Sequence, residues 1–237
     1  KIQDDAVTLA KMAAGTDGNI ISYDASGNPV AVATGNDGQV LTSSDAGAVC
    51  AFEDAGGGAW TLIGSSVASD SASLTQTGLS STYAQYAIGL SGFRPASDSQ
   101  ELNLRHGDSG GIDSGSADYF YSNERGYNSG GASSHTLYQT STVDAEHTSI
   151  MIQVVTSQGN AVGEGYSAML FLEAPHSSNT QPQLYGRYGS TSPATLPDGG
   201  WFFGQRRAAI EVTQVQVFYA SGNITAGRMS IWGIAHA

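Results

Sequence analysis

Gly107-Asp108-Ser109-Gly110-Gly111 is the stretch that most invites a chemical reading. GDSGG surrounds the nucleophile in one class of serine proteases, where the His and the Asp of the triad lie far upstream of the Ser. Here the only upstream His is His106, three residues away. A histidine so close in sequence cannot come from a separate barrel, so the stretch reads as a Gly-rich turn. Asp108, Asp113 and Asp118 follow one another at intervals of five. Carboxylates in Gly-rich loops can hold Ca²⁺, but this spacing does not match the calcium loop of an EF-hand and lacks its closing Glu. His106, His135, His147, His176 and His236 show no HExxH or other paired spacing, so no metal site is expected. Glu124, Asp144, Glu146, Glu164 and Glu173 could supply a carboxylate pair for glycan hydrolysis, but any acidic chain offers such pairs. No catalytic residue and no cofactor is assigned.

Binding chemistry is better represented. Tyr121, Arg125 and Tyr127 lie close together, and Arg187, Tyr188 and Trp201 form a second group. Aromatic faces beside polar groups suit sugar rings. In a strand, alternate side chains point to opposite faces, so half of any such cluster is expected to face the core.

The elements that would carry these residues are mostly strands. Residues 1–14 alone have a helical pattern, with Ile2, Val7, Leu9 and Met12 on one stripe too short to be stable by itself. A repeat of 20 residues follows: GTDGNIISYDASGNPVAVA (15–33) aligns with GNDGQVLTSSDAGAVCAFE (35–53). Each copy reads as turn, short apolar strand, turn, short apolar strand. One copy has too few apolar groups for a core, whereas copies from several chains wound together would bury them. Ala55–Ala59 reads as a boundary, giving a helical segment 1–14, a stalk 15–59 and a head 60–237. In the head, strands are expected near 60–67, 71–77, 83–91, 100–106, 117–123, 148–155, 166–173, 182–188, 210–220 and 227–234. The phase change between Ile210/Val212 and Val215/Val217 suggests a bulge. The stretches 107–116, 124–135 and 189–200 read as loops. About ten strands without helical periodicity indicate an all-β sandwich or jelly-roll head.

Composition removes several classes of partner. The 237 residues carry 9 Lys and Arg against 21 Asp and Glu, a net charge of −12. No Lys follows Lys11 and the arginines are scattered, so the cationic cluster that nucleic-acid binding requires is missing. No run approaches the roughly 20 apolar residues of a membrane helix. A single cysteine, Cys50, permits no disulfide within the chain and suits assembly in a reducing cytoplasm. The first residue is Lys rather than Met, which suggests an upstream segment.

The repeat GTDGNIISYDASGNPVAVATGNDGQVLTS is similar to stalk repeats of bacteriophage tail-fibre and virion structural proteins. Trp60-Thr61-Leu62-Ile63, Leu102-Asn103-Leu104-Arg105, Ser116-Ala117-Asp118-Tyr119, Ser221 to Gly227 and Ile231-Trp232-Gly233-Ile234 resemble a family of phage fibre-like heads. Ala235-His236-Ala237 departs from that family's usual ending. The resemblance implies a homotrimer with a thin stalk and a jelly-roll-like head. It implies a place in the virion, assembly in the bacterial cytoplasm, and other virion proteins as partners through an N-terminal or upstream anchor. A host-surface glycan is the expected receptor, with a purely structural fibre, decoration or collar part as the alternative and a glycan hydrolase as a weaker one. Light scattering should therefore give a particle of about three times 24.4 kDa; a monomer at micromolar concentration would contradict the expectation.

Overall fold

The computed structural model describes residues 15–44, 47–54, 59–129, 132–138, 147–153, 158–194 and 196–235. The helix expected over 1–14 and residues 55–58 of the expected boundary lie outside them. The chain separates into two compact units, Lys1–Gly58 and Ala59–Ala237. The described residues of both are all-β, and no helix among them is long and apolar enough to cross a membrane.

In the first unit β1 (Ile20–Tyr23) pairs antiparallel with β2 (Pro29–Val32), and β3 (Gln39–Thr42) with β4 (Ala51–Asp54). The two hairpins begin with equivalent turns. Asn19 N–H donates to Thr16 O at 3.2 Å, and Gln39 N–H to Asn36 O at 3.1 Å. Gly18 and Gly38 occupy matching positions at φ of 79° and 88°, a region that a side chain disfavours. Each hairpin is too thin to bury its apolar side chains, and Ile21, Tyr23, Val40 and Leu41 remain exposed.

The second unit contains β5 (Trp60–Val67), β6 (Leu74–Thr77), β7 (Gln85–Pro95), β8 (Leu102–Asp108), β9 (Gly111–Ile112) and β10 (Tyr119–Ser129). It continues with β11 (Ala132–Tyr138), β12 (Ile150–Met151), β13 (Tyr166–Glu173), β14 (Gln183–Thr191), β15 (Pro197–Arg206), β16 (Gln214–Tyr219) and β17 (Ile224–Ile234). An eight-stranded antiparallel sheet runs β11-β10-β15-β14-β13-β7-β17-β5, and a smaller sheet runs β12-β8-β16-β6, with β9 paired to β8. With β9–β11 and β14–β15 set aside, eight strands remain. Numbered one to eight in chain order, they lie 1-8-3-6 in the large sheet and 2-7-4-5 in the small one.

Period-two alternation builds the core between the sheets. Tyr86, Ile88 and Leu90 of β7, Leu170 and Leu172 of β13, and Met229 and Ile231 of β17 share one cluster with Leu102 and Leu104 of β8 and Val215 and Val217 of β16. Each such side chain contributes about 1.5–3 kcal/mol by leaving water. Buried tyrosines link the core to polar groups that would otherwise lose their hydrogen bonds. Tyr166 OH donates to Ile152 O at 2.8 Å, and Tyr219 OH to Gln158 Oε1 at 2.8 Å. Burial pushes both phenols well above the ordinary tyrosine range.

Four expectations from the sequence change, the first being 107–116, which contains the end of β8 and all of β9. The stretch 124–135 contains the end of β10 and the start of β11, and 189–200 contains the end of β14 and the start of β15. The Pro and paired Gly of β15 resemble turn chemistry, but its inward positions are Gly200, Phe202 and Gly204, with the ring of Phe202 fully buried. Residues 210–213 precede β16 and do not form a bulge within it; Val212 N–H donates to Pro175 O at 2.7 Å and Thr213 N–H to Gly107 O at 2.9 Å.

Gly204 sets how closely the two layers approach, and Gly200 how closely β10 lies against β15. A Cβ on Gly204 would collide with Ile150 of the small sheet, and one on Gly200 with the carbonyl of Glu124. Gly189 faces outward, with nothing within 4 Å of its Cβ position. Gly200→Ala should therefore cost about 2–3 kcal/mol in urea unfolding, while Gly189→Ala should stay within about 0.5 kcal/mol of wild type. Equal effects would contradict this account of the packing.

Candidate functional site

The GDSGG stretch forms the turn between β8 and β9, where Gly107 pairs with Ile112 and Asp108 with Gly111. Asp108 Oδ1 accepts Gly110 N–H at 2.7 Å, and Ser109 is exposed at the tip. His106 points the other way. It is fully buried, its ring meets Tyr119 edge-on at 5.9 Å, and neither ring nitrogen has a hydrogen-bond partner. It therefore holds no proton relay with Ser109. Asp113 and Asp118 converge on a guanidinium: Arg206 Nε lies 2.9 Å from Asp113 Oδ2, and Nη1 lies 3.1 Å from Asp118 Oδ1. The described residues contain no group of three or more His, Cys, Asp or Glu arranged to hold a metal ion.

The proposed hydrolytic carboxylates are dispersed. Glu164 accepts Ala161 N–H at 2.7 Å within its own turn, and Glu173 bonds the Gln85 amide and accepts Tyr185 OH at 2.9 Å. Asp144 and Glu146 lie outside the described residues.

The six aromatic and arginine candidates divide between the two faces of the large sheet. Tyr121, Arg125, Tyr127 and Tyr188 occupy inward positions. Tyr121 is buried with its ring 4.4 Å from that of His147, and Tyr188 is buried and stacked on Tyr166 at 5.5 Å. Arg125 lies over the Tyr127 ring at 4.2 Å and pairs with Asp198 at 2.6 Å, the carboxylate being 1% exposed. Arg187 and Trp201 point outward and are direct cross-strand neighbours.

The outer face is built in rows across the strands. Glu124, Trp201, Arg187 and Met169 form one row on β10, β15, β14 and β13. Trp201 is 40% exposed and its indole N–H donates to Glu124 Oε2. Arg187 is exposed and has no ion pair among the described residues. On one side of this row lie Gly126, Gly199 and Gly189, cross-strand neighbours that leave bare backbone. On the other side runs an apolar row of Phe203, Tyr185, Phe171, Ala87, Trp232 and Leu62. Phe171 stacks on Tyr185 at 5.6 Å, and Trp60 meets both Phe171 and Trp232 at 6.1 Å. Tyr185 is 39% and Leu62 56% exposed.

The arrangement offers a flat indole between an acid and a base, beside a floor without side chains. It can stack a planar or ring-shaped polar ligand and hydrogen-bond its periphery. Sequence reasoning found Trp201 and Arg187 through residue type. It missed the apolar row because β13 carries Ala168, Leu170 and Leu172 inward and Met169 and Phe171 outward, leaving no polar alternation to reveal its faces.

No family model, curated protein or solved structure matches the chain.

The burial of His106 has a consequence for stability. Loss of hydration, followed by the charge of Arg206, lowers its pKa from 6.5 to about 3. Between these values the unfolded chain binds a proton that the folded head rejects, so stability falls as pH falls from about 6.5 toward 3. At pH 5 this one group costs about 2 kcal/mol relative to pH 7.5. His106→Leu should remove that component, so wild type should lose about 2 kcal/mol more than the variant between the two pH values in urea titrations. Parallel losses would contradict it.

Proposed function

We propose that the chain is a component of a bacteriophage fibre or spike, a homotrimer with a thin N-terminal stalk whose C-terminal head holds a host-surface glycan. The observation that carries the reading is the outer face of the large sheet, where Trp201, Arg187 and Glu124 flank bare glycine backbone. An indole face complements the C–H side of a sugar ring, and the flanking charged groups can bond its hydroxyls. The net charge of −12 disfavours a polyanionic receptor drawn in by charge alone, so a neutral or zwitterionic sugar is the ligand proposed for this platform.

The fold supports the rest of the reading. Consecutive members of the eight strands alternate between sheets in most steps, in the orders 1-8-3-6 and 2-7-4-5. This winding favours a jelly-roll-like head, an architecture found in viral capsid and lectin domains. Fold alone does not assign function, which is why the platform carries the argument. The exposed Ile21, Tyr23, Val40 and Leu41 of the two hairpins support a stalk that buries its apolar side chains against other copies. Three weak platforms on one trimer would bind a surface by avidity, because the second contact forms at the high local concentration set by the first.

A purely structural virion part is the second reading. It is favoured by the apolar row from Tyr185 to Leu62, which another protein surface would cover as well as a sugar would. A fluorescently labelled sample of the full chain on an array of bacterial surface glycans separates the two. Wild type should bind a defined subset, and Trp201→Ala and Arg187→Ala should each weaken binding at least about tenfold, the loss of roughly 1.4 kcal/mol, with the melting temperature unchanged. Absence of binding to every glycan, or equal binding by the variants, would remove the receptor role and leave the structural one.

A further inference from the structure

The small sheet carries a second polar site on its outward face. Asn103 and Arg105 of β8 point away from the core, and Phe218 of β16 is the cross-strand neighbour of Asn103. With Glu101, His147 and Ser149 these residues line a cleft of about 390 Å³, at the lower end of the range for small-molecule sites.

Its chemistry centres on Arg105. The guanidinium is fixed twice: Nε donates to Thr148 O at 2.9 Å, and Cζ lies 4.2 Å from the centre of the Phe218 ring. These contacts use one N–H and one face. Among the described residues, Nη1 and Nη2 meet neither a hydrogen-bond acceptor nor an acidic partner. Arg105 differs in this from Arg125 and Arg206, which are closed by Asp198 and by Asp113 with Asp118. A guanidinium held in plane with its Nη groups unused presents the paired donors that match a carboxylate.

The rest of the cleft argues for hydroxyls on the same ligand. Glu101 lines it without a hydrogen-bond partner for its side chain among the described residues, and it does not pair with Arg105. Asn103 is only 6% exposed and is locked, donating to Glu101 O at 3.1 Å and accepting from Ser149 Oγ at 3.0 Å. A cationic fork and an anionic acceptor that do not neutralise each other within one small cleft fit a ligand carrying both a carboxylate and hydroxyl groups. We infer that this cleft binds a single acidic sugar residue of the uronic-acid class, with its carboxylate on Arg105 and its hydroxyls on Glu101. The site is separate from the Trp201 platform and does not depend on it. The acidic field of the whole chain opposes a polyanion at a distance, so recognition here is by short-range contact with one carboxylate.

Ligand-observed NMR on the full chain with methyl glucuronide and methyl glucoside tests this directly. The glucuronide should saturate in the millimolar range, and the glucoside should bind at least tenfold more weakly. Arg105→Gln should reduce the glucuronide to the level of the glucoside, while Arg94→Gln, which removes the same charge elsewhere, should leave it unchanged. Arg105→Lys covers the case in which loss of the Thr148 contact unfolds the Gln variant. It keeps the charge and the stem but lacks the fork, and should weaken binding several-fold. Equal binding of the two sugars, saturation by neither, or undiminished binding by Arg105→Lys would overturn the inference. Each of those results leaves the glycan-array result for Trp201 and Arg187 to stand or fall alone.

Discussion

A sheet has two faces, and the head has one small sheet with which to cover its large one. Four strands with β9 pack against one face of an eight-stranded sheet, and the apolar residues between them form a single core. That core must be reached by side chains of fixed size from both layers. The inward glycines of β15 and the ring of Phe202 belong to this fit, with Ile150 entering the space a Cβ at Gly204 would fill. Among the described residues of this unit no second layer covers the outer face, so its composition is not set by the core. It nevertheless carries Trp60, Leu62, Met169, Tyr185 and Trp201, all at least 39% exposed. Large apolar groups gathered on an exposed face mark a surface that meets something else.

The polar groups buried by the same packing are mostly satisfied in place. Tyr119 OH receives His106 N–H at 2.9 Å and lies 3.0 Å from Asp113 O, so one hydroxyl ties β10 to the strand and hairpin that carry GDSGG. Arg206 joins Asp113 and Asp118 beside it. Residues that suggest a nucleophile or a cation site in the sequence are thus occupied in holding a turn against the core. His106 stands apart from these neighbours, a polar ring accommodated for its shape with its nitrogens unpaired. Its neutral state is the condition for keeping it there.

Much of the fold was legible in the residues. The apolar run in 166–173 and the alternation of Met229/Ile231 with Arg228/Ser230 located β13 and β17 to within three residues, and the Gly spacing of the 20-residue repeat located the hairpin turns. β15 was not legible, because Pro197, Gly199 and Gly200 are turn residues by type and become strand residues only beside β10 and β14. The site was half legible. Residue type identified Trp201 and Arg187, but pairing Tyr188 with Arg187 ignored the period of two, which sends neighbours to opposite faces. The carboxylate near Trp201 comes from Glu124, 77 residues earlier, and only the register of β10 on β15 brings them together. Arg105 was recognisable as a strand residue, but that it has no acidic partner among the described residues depends on where the other strands place their acids.

The central claim is that the outer face of the large sheet receives a sugar at Trp201. All three tryptophans, Trp60, Trp201 and Trp232, lie on that face, so their indole N–H resonances report on it from three places. The most direct measurement is a titration of the ¹⁵N-labelled protein with neutral bacterial surface oligosaccharides, following those three signals. The account predicts a saturable shift of the Trp201 resonance, with the indole's bond to Glu124 perturbed first and smaller changes at Trp60 and Trp232. A titration in which an oligosaccharide binds while Trp201 stays fixed, or in which none of the three signals moves with any sugar, would contradict it.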